Sequence, residues 1–256
     1  MIRSSIAFLK ICAFLLWCLL CVPPQLLVKL IFRNQVVHAL PYLWHKGICF
    51  IFRIKVQVEG NIDTARPLLY AVNHFSYLDI PVLGSRLVAC FIAKKEVAGW
   101  PVFGFLSKLQ NTAFIDRRLT AAKAEMQGLQ GYTDHKRRLI LFPEGTSTEG
   151  DHAIAFRSNF FEICAGKEKI PIQPVSLSLV AIENMGITTQ KQRDLYAWYG
   201  DMDLAPHLWS FAKSKGATVK LTFHAPFLPT SEDDRKSVAL KAEQAVHNVF
   251  GQKRVL

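Results

Sequence analysis

Two residues five positions apart, His74 and Asp79, carry the side chains of a proton-transfer pair. They lie in the run NHFSYLD, directly after an apolar stretch. A histidine oriented by a carboxylate can take the proton of a hydroxyl, whose oxygen can then attack an acyl group. A histidine and an aspartate at this spacing also occur by chance, so the interpretation needs support from elsewhere in the chain.

Polar residues also cluster at three places where a strand pattern stops. The sequence predicts buried strands at Leu68–Val72 and Arg138–Phe142 and a short apolar run at Asn111–Ile115. His74 follows the first strand, and Glu144 follows the second in a Pro-Glu-Gly turn. Open α/β sheets usually build their sites at such strand ends, so we expect these residues to share a site.

The order and spacing of these segments resemble the glycerolipid acyltransferase family of the lysophosphatidic acid acyltransferase type. The first family motif, NH-x-S-x-x-D, is matched by the run at 73–79, and the second, F-x-x-R, by Phe114 and Arg117. The third, F-P-E-G-T, is matched by Phe142–Thr146, and the fourth, an apolar run with a proline, by Ile172–Val175. The resemblance extends over about residues 55 to 225.

The resemblance implies an acyl transfer in which His74 is the general base. Asp79 would fix the tautomer of its imidazole and stabilise the imidazolium. An acyl thioester is already activated, so the acceptor alcohol itself can attack and no serine or cysteine nucleophile is required.

Four further residues are expected to bind the substrate. Arg117 is the candidate for the acceptor's anionic head group, since a guanidinium pairs bidentately with phosphate. The resemblance implies that Glu144, Gly145 and Thr146 help to position the acceptor. A helix-capping or turn-stabilising role is the alternative for Thr146.

The acceptor predicted first is 1-acyl-sn-glycerol-3-phosphate, which would give phosphatidic acid in phospholipid biosynthesis. Ser147 stands where many relatives continue the third motif with arginine, which weakens the case for a doubly charged phosphate. The segments at 196–202 and 206–209 also resemble bacterial lyso-ornithine lipid acyltransferases, so lyso-ornithine lipid is the alternative acceptor. A non-catalytic lipid-binding protein is the alternative of another class. The expected donor is acyl-CoA or acyl carrier protein, with no other cofactor and no metal.

Composition favours a membrane-associated enzyme over a nucleic-acid binder. The 256-residue chain has a formal net charge of +11 and is 50% hydrophobic, which suits anionic lipids or acidic substrates. No lysine and arginine run with interleaved aromatics and no zinc-site spacing occurs in the sequence, so we expect neither a nucleic-acid partner nor a metal. The cysteines lie in apolar contexts typical of free thiols in a reducing compartment.

The N-terminus is expected to anchor the protein. Ile11–Val28 carries no charge over 18 residues, which is long enough for a marginal membrane span. Pro23 and Pro24 interrupt it, so a helical hairpin of Ile6–Val22 and Gln25–Phe32 lying in one leaflet is an alternative. A cleaved signal peptide is disfavoured because no small-residue cleavage site follows. We expect the catalytic domain on the cytoplasmic face.

Alternating strands and helices predict an α/β fold, with a mixed central sheet flanked by helices and an N-terminal membrane-associated helical element. Residues 1–50 are predicted to be the anchoring segment and residues 51–256 the acyltransferase domain. Near the C-terminus, Ser231 is predicted to cap a last helix whose apolar stripe contains Val238, Ala242, Ala245 and Val249.

Overall fold

A mixed β-sheet of eight strands runs through the described part of this computed structural model, which covers residues 2–32, 38–115, 137–152, 154–165 and 169–250. The strands are β1 (Ile54–Glu59), β2 (Leu68–Val72), β3 (Cys90–Lys94), β4 (Ala113–Ile115), β5 (Arg138–Leu141), β6 (Ile172–Ile182), β7 (Met185–Gly186) and β8 (Ala217–Phe223). The α-helices are α1 (Ile2–Ile31), α2 (Ala39–Ile51), α3 (Asp79–Gly84), α4 (Phe103–Leu109), α5 (Glu162–Ala165), α6 (Gln190–Arg193), α7 (Leu204–Lys213) and α8 (Arg235–His247).

The sheet has the order β1-β8-β6-β2-β5-β3-β4, with β7 paired to β6. Pairs β2–β5, β2–β6, β3–β5, β3–β4 and β1–β8 are parallel, whereas β6 runs antiparallel to β7 and β8. The predicted α/β fold with a mixed sheet and flanking helices is therefore confirmed.

Apolar side chains cover both faces of the central strands. All five residues of β2 are buried, with Tyr70 and Val72 in one core cluster and Leu69 and Ala71 in the other. This is why the β2 sequence is continuously apolar rather than alternating. Helices α2, α3 and α7 contribute to the first cluster, and α5 and α8 contribute to the second.

The N-terminal segment forms one continuous helix, α1, that passes through Pro23 and Pro24. The alternative of a helical hairpin broken at these prolines is wrong, because α1 is continuous from Ile2 to Ile31. Helix α2 packs against α1. The two helices approach closely where α2 has Gly47, since a β-carbon at this position would lie 2.2 Å from the Trp17 indole nitrogen. The indole in turn donates to the carbonyl of Trp44 over 3.1 Å.

Three polar side chains fix α1 to the ends of other helices. Lys10 donates to the carbonyl of Ser214 at the end of α7 over 2.9 Å. Gln25 and Lys29 donate to the carbonyls of Leu109 and Lys108 at the end of α4, over 3.0 and 2.7 Å. Carbonyls at helix C-termini lack partners within their own helix and carry the negative end of its dipole, so these donors satisfy them. Helix α1 is thus packed on the same body as the sheet.

The last helix begins later than the sequence predicts. Its N-cap is Asp234, whose side chain accepts the backbone N–H groups of Lys236 and Ser237. The predicted cap at Ser231 is wrong, because a preceding turn in which Asp233 accepts the N–H of Thr230 delays the helix start. The predicted apolar stripe is correct for two members, whereas Val249 is exposed and the buried positions are Val238, Ala239, Ala242 and Val246.

Candidate active site

The side chains of His74 and Asp79 meet at the carboxyl end of β2. Nδ1 of His74 lies 2.8 Å from Oδ2 of Asp79, which is the first residue of α3. The imidazole is one-fifth exposed, whereas the carboxylate is fully buried. Because a carboxylate oxygen accepts, the proton of the neutral imidazole resides on Nδ1, and Nε2 keeps the lone pair of a base.

Both oxygens of the Asp79 carboxylate are held by hydrogen bonds. Oδ2 also accepts the backbone N–H groups of Phe75 and Ser76, over 2.7 and 2.9 Å. Oδ1 accepts the hydroxyl of Tyr196 over 2.8 Å. Four donors around one buried carboxylate compensate for its lost hydration and fix its orientation towards His74.

Glu144 holds the backbone of His74 from the neighbouring strand. Strands β2 and β5 are parallel neighbours, so their carboxyl ends place the two loops side by side. The Glu144 carboxylate accepts the N–H of His74 over 2.8 Å and the N–H of Ile154 over 3.1 Å. The carbonyl of His74 accepts the N–H of Thr148 over 2.9 Å. Both backbone groups of His74 are therefore bound by the loop of the third motif.

Glu144 has no exposed surface. Burial raises the pKa of its carboxyl to about 8, although the two backbone N–H donors act in the opposite direction. The carboxyl group of Glu144 contacts the backbone N–H groups of His74 and Ile154, and its expected help in positioning the acceptor stays a prediction.

Phe142 covers one face of the His74 imidazole. Its ring stacks on the His74 imidazole, with 4.0 Å between centroids and 19° between planes. One face of the imidazole is thereby covered, and rotation of the ring is restricted. Phe142 is the first residue of the third motif, but the sequence does not indicate that its ring stacks on His74.

Two other polar residues of the first motif have structural roles. Asn73 donates to the carbonyl of Leu177 over 2.9 Å and accepts its N–H over 2.7 Å, which ties the loop to β6. The Ser76 hydroxyl accepts the N–H of Leu78 over 3.3 Å and is fully buried. The motif thus combines one reactive pair with residues that fix the loop.

Tyr196, in the segment after α6, is a residue of the site that the sequence did not predict. The N–H of Trp198 donates to the carbonyl of Phe75 over 2.8 Å. Nδ1 of His207 lies 3.0 Å from the Tyr77 hydroxyl, and its Nε2 lies 3.0 Å from the carbonyl of Ala197. Resemblance to the lyso-ornithine lipid subgroup had singled out this segment, but no local pattern indicates contact with Asp79.

A cavity of about 460 Å³ opens beside His74. This volume is within the range of about 300 to 1,000 Å³ typical of small-molecule sites. Its walls are mostly apolar and come from α1, α2, α4, α7 and the segment around Trp198, including Phe14, Val22, Trp44, Leu106, Trp198 and Leu208. An elongated apolar group is the kind of ligand that such walls suit.

The remaining predicted site residues divide into two groups. Gly145 and Thr146 line the cavity, and Gly145 has a φ of 77°, in the left-handed region that favours glycine. Ser147, at the position where many relatives are expected to have a basic residue, lines the same cavity. Arg117 lies outside the described residues, so its expected contact with the acceptor stays a prediction.

The fold and the site define a class of protein: an α/β protein with a carboxylate-oriented histidine at the strand ends beside an apolar cavity. Residues 53–178 match the model of the family described as Acyltransferase. The chain is also 31% identical over 254 residues to a lyso-ornithine lipid O-acyltransferase of Brucella abortus (strain 2308), covering 96% of this chain and 94% of that protein. The chain therefore belongs to the acyltransferase family.

Other relatives and a solved structure agree with this assignment. A lyso-ornithine lipid O-acyltransferase of Rhizobium meliloti (strain 1021) is 30% identical, with 84% of this chain and 75% of that protein covered. A 1-acyl-sn-glycerol-3-phosphate acyltransferase of Neisseria gonorrhoeae is 27% identical, with 85% and 81% covered. The crystal structure of the 1-acyl-sn-glycerophosphate (LPA) acyltransferase PlsC from Thermotoga maritima has a TM-score of 0.70 at 20% identity and covers 99% of both chains. At this identity the likeness concerns the fold.

Proposed function

We propose that the protein transfers a fatty acyl chain from a thioester donor to the free hydroxyl of a lyso-lipid, with His74 as general base. The observation that carries this proposal is the pairing of His74 Nδ1 with Asp79 beside an apolar cavity. This pairing leaves Nε2 as the basic nitrogen, and the cavity suits the hydrocarbon part of both substrates.

The proposed reaction has two steps. Nε2 of His74 takes the proton of the acceptor hydroxyl while the hydroxyl oxygen forms a bond to the thioester carbonyl carbon. The carbon–sulfur bond then breaks, and the departing sulfur takes the proton from the imidazolium, which returns His74 to its neutral form. Asp79 stabilises the imidazolium between the two steps.

The acceptor is proposed to be lyso-ornithine lipid, with 1-acyl-sn-glycerol-3-phosphate as the second candidate. The lyso-ornithine lipid O-acyltransferases named above are 30% and 31% identical to this chain, whereas the Neisseria gonorrhoeae 1-acyl-sn-glycerol-3-phosphate acyltransferase is 27% identical. Ser147 supports the same order, because a serine lacks the charge that would match a phosphate monoester. Arg117 remains the candidate contact for an anionic group of either acceptor.

The donor is proposed to be acyl-CoA or acyl carrier protein. Both are acidic, and the chain carries a formal net charge of +11, which favours their approach. We assign the acyl chain to the apolar cavity, where Val22 of α1 and Leu106 of α4 form part of the walls.

Membrane association is proposed to occur through the outer face of α1. This helix is long and apolar enough to cross a membrane, and its outward leucines Leu9, Leu16, Leu20 and Leu27 are 56 to 65% exposed. An exposed apolar stripe of this kind is typical of helices that lie against or within a lipid layer. Thioester donors are cytosolic, so the catalytic domain is assigned to the cytoplasmic face.

The acceptor is tested with purified full-length protein in lipid vesicles supplied with a labelled acyl thioester. Lyso-ornithine lipid and 1-acyl-sn-glycerol-3-phosphate are offered separately at equal concentration, with both donor types. The proposal predicts a labelled diacyl product and a higher kcat/KM for lyso-ornithine lipid. A higher value for 1-acyl-sn-glycerol-3-phosphate would reverse the order of acceptors, and no product from either would contradict the proposed function.

A further inference from the structure

The hydroxyl of Tyr196 is the side-chain donor to Asp79 on the side opposite to His74. It donates to Oδ1 over 2.8 Å, whereas Nδ1 of His74 lies 2.8 Å from Oδ2. We propose that Tyr196 is a positioning residue of the acyl transfer, which holds the Asp79 carboxylate in the orientation that serves His74 and disperses its charge. This inference rests on the proposed function and adds a residue that lies 117 positions along the chain from Asp79.

Tyr196 is well placed for such a role because its own position is fixed on several sides. It is fully buried, and its ring packs edge-on against Phe211 of α7 at 6.1 Å between centroids. Its backbone N–H donates to the carbonyl of Arg193 over 2.8 Å. Two residues on, the N–H of Trp198 donates to the carbonyl of Phe75. A phenol fixed in this way can hold a carboxylate without losing side-chain entropy during each turnover.

The Tyr196 hydroxyl stays protonated and therefore stays a donor. Burial raises the pKa of Tyr196 well above its ordinary value, and the charge of Asp79 acts in the same direction. A neutral donor beside an ionised carboxylate stabilises that charge without neutralising it. Asp79 thus remains the carboxylate that faces the imidazole, while part of its charge is compensated by the phenol.

The other titratable groups that face this pair do not reproduce this effect. Cys49 of α2 and Tyr77 of the His74 loop act electrostatically on Tyr196. Burial raises the pKa of Cys49 to about 11, so its thiol is neutral near pH 7. Burial likewise raises the pKa of Tyr77. Glu144 lies on the His74 side and contacts the backbone of His74.

The consequence for catalysis has a definite sign. Without the phenol, the charge of Asp79 is less dispersed and stabilises the His74 imidazolium more strongly. We therefore expect the acid limb of the pH profile of kcat/KM, which reports the essential base of the free enzyme, to move to higher pH in a variant without the phenol. Because part of the stabilisation that this hydrogen bond gives to the charged carboxylate reaches His74, we expect the acid limb to shift by about 0.5 to 1 pH unit.

The test compares Tyr196→Phe with Tyr70→Phe. Tyr70 is also fully buried, and its hydroxyl donates to the backbone carbonyl of Asp63 rather than to the catalytic pair. We expect Tyr196→Phe to lower kcat about tenfold and to raise the acid limb, and Tyr70→Phe to leave the acid limb in place even where both variants lose thermal stability. An unmoved acid limb in Tyr196→Phe would overturn the proposal.

A second variant keeps the ring and the hydroxyl in place if Tyr196→Phe does not fold. Site-specific 3,5-difluorotyrosine at position 196 is a stronger donor, so it should move the acid limb to lower pH; an unmoved limb would again overturn the inference. A direct NMR titration of the His74 imidazole, identified through its loss in His74→Gln, follows the same shifts without turnover. Wild-type protein that acylates no lyso-lipid would instead contradict the proposed function, whereas this titration would still test the link between Tyr196 and His74.

Discussion

Glu144 accepts the backbone N–H of His74 over 2.8 Å, so the third motif of the chain holds the main chain of the first. The acidic residue of the Pro-Glu-Gly turn is therefore bound to the base rather than exposed in the cavity. This arrangement explains why two loops 70 residues apart must meet before the histidine can act.

We expect the buried Glu144 to make the free energy of unfolding depend on pH. Burial raises its pKa from 4.5 to about 8. Between these values the folded state retains a proton that the unfolded state has released, so the free energy of unfolding falls as pH rises from about 5 to 8. Glu144→Gln should remove this part of the dependence. The side-chain NH2 of glutamine would also face one of the two backbone N–H groups that the Glu144 oxygens accept. The variant should therefore be less stable than the wild type at pH 5, and the difference in the free energy of unfolding should become smaller towards pH 8.

Unfolding in denaturant at several pH values between 5 and 8.5 measures this effect. Glu149→Gln is the matched control, because Glu149 lies in the same loop with an exposed side chain, and its stability curve should follow the wild type. Parallel curves for Glu144→Gln and the wild type would show that Glu144 does not titrate in this range.

Asp79→Asn should lower kcat by roughly 10³- to 10⁴-fold, because an amide can present its N–H to Nδ1 and favour the wrong imidazole tautomer. The measurement is the steady-state rate with saturating donor and acceptor. Asp203→Asn is the control, since Asp203 is exposed and its side chain makes no capping hydrogen bond. A rate for Asp79→Asn within about tenfold of the wild type would contradict the assigned role of Asp79.

The outward face of α1 should determine binding to lipid. Replacing Leu16 and Leu20 together by glutamine should weaken co-sedimentation with anionic vesicles by tenfold or more, since burying each leucine in lipid contributes roughly 1.5 to 3 kcal/mol. The control replaces Leu228 and Leu240, which are 58% and 47% exposed outside α1. Equal losses in the two double variants would mean that α1 is not the specific binding face.

The cavity should limit the length of the acyl chain. Val22→Trp adds a bulky ring to a wall contributed by α1. It should lower kcat/KM for long-chain thioesters about tenfold more than for short-chain ones, because the discrimination comes from a few methylene groups. Val58→Trp, at an exposed position of β1, should not change the ratio. An unchanged ratio in Val22→Trp would place the acyl chain elsewhere.

The sequence was sufficient to predict the α/β fold class and the strand ends at which the site lies. His74, Asp79 and Glu144 follow short apolar runs that are typical of buried strands, and parallel neighbours bring such strand ends together. The contact between Tyr196 and Asp79 was beyond this reasoning, because it joins residues 117 positions apart and leaves no local pattern.

Other errors came from local rules that tertiary contacts overrode. Pro23 and Pro24 suggest a break, yet α1 continues through them, with Gln25 bonded to α4 beyond them. Ser231 has the residue type of a cap, but the turn formed by Asp233 moves the helix start to Arg235. In both places, side-chain contacts with distant or neighbouring groups outweighed local preference.

The central claim, that His74 activates the acceptor hydroxyl, is tested most directly by acyl transfer in vesicles with His74→Ala and a matched control, His152→Ala. His152 forms a second pair with a carboxylate, that of Asp151, and is not part of the described cavity wall. We expect His74→Ala to lose acyl transfer while it still binds vesicles, and His152→Ala to remain active. Transfer by His74→Ala at the wild-type rate would contradict the proposed mechanism.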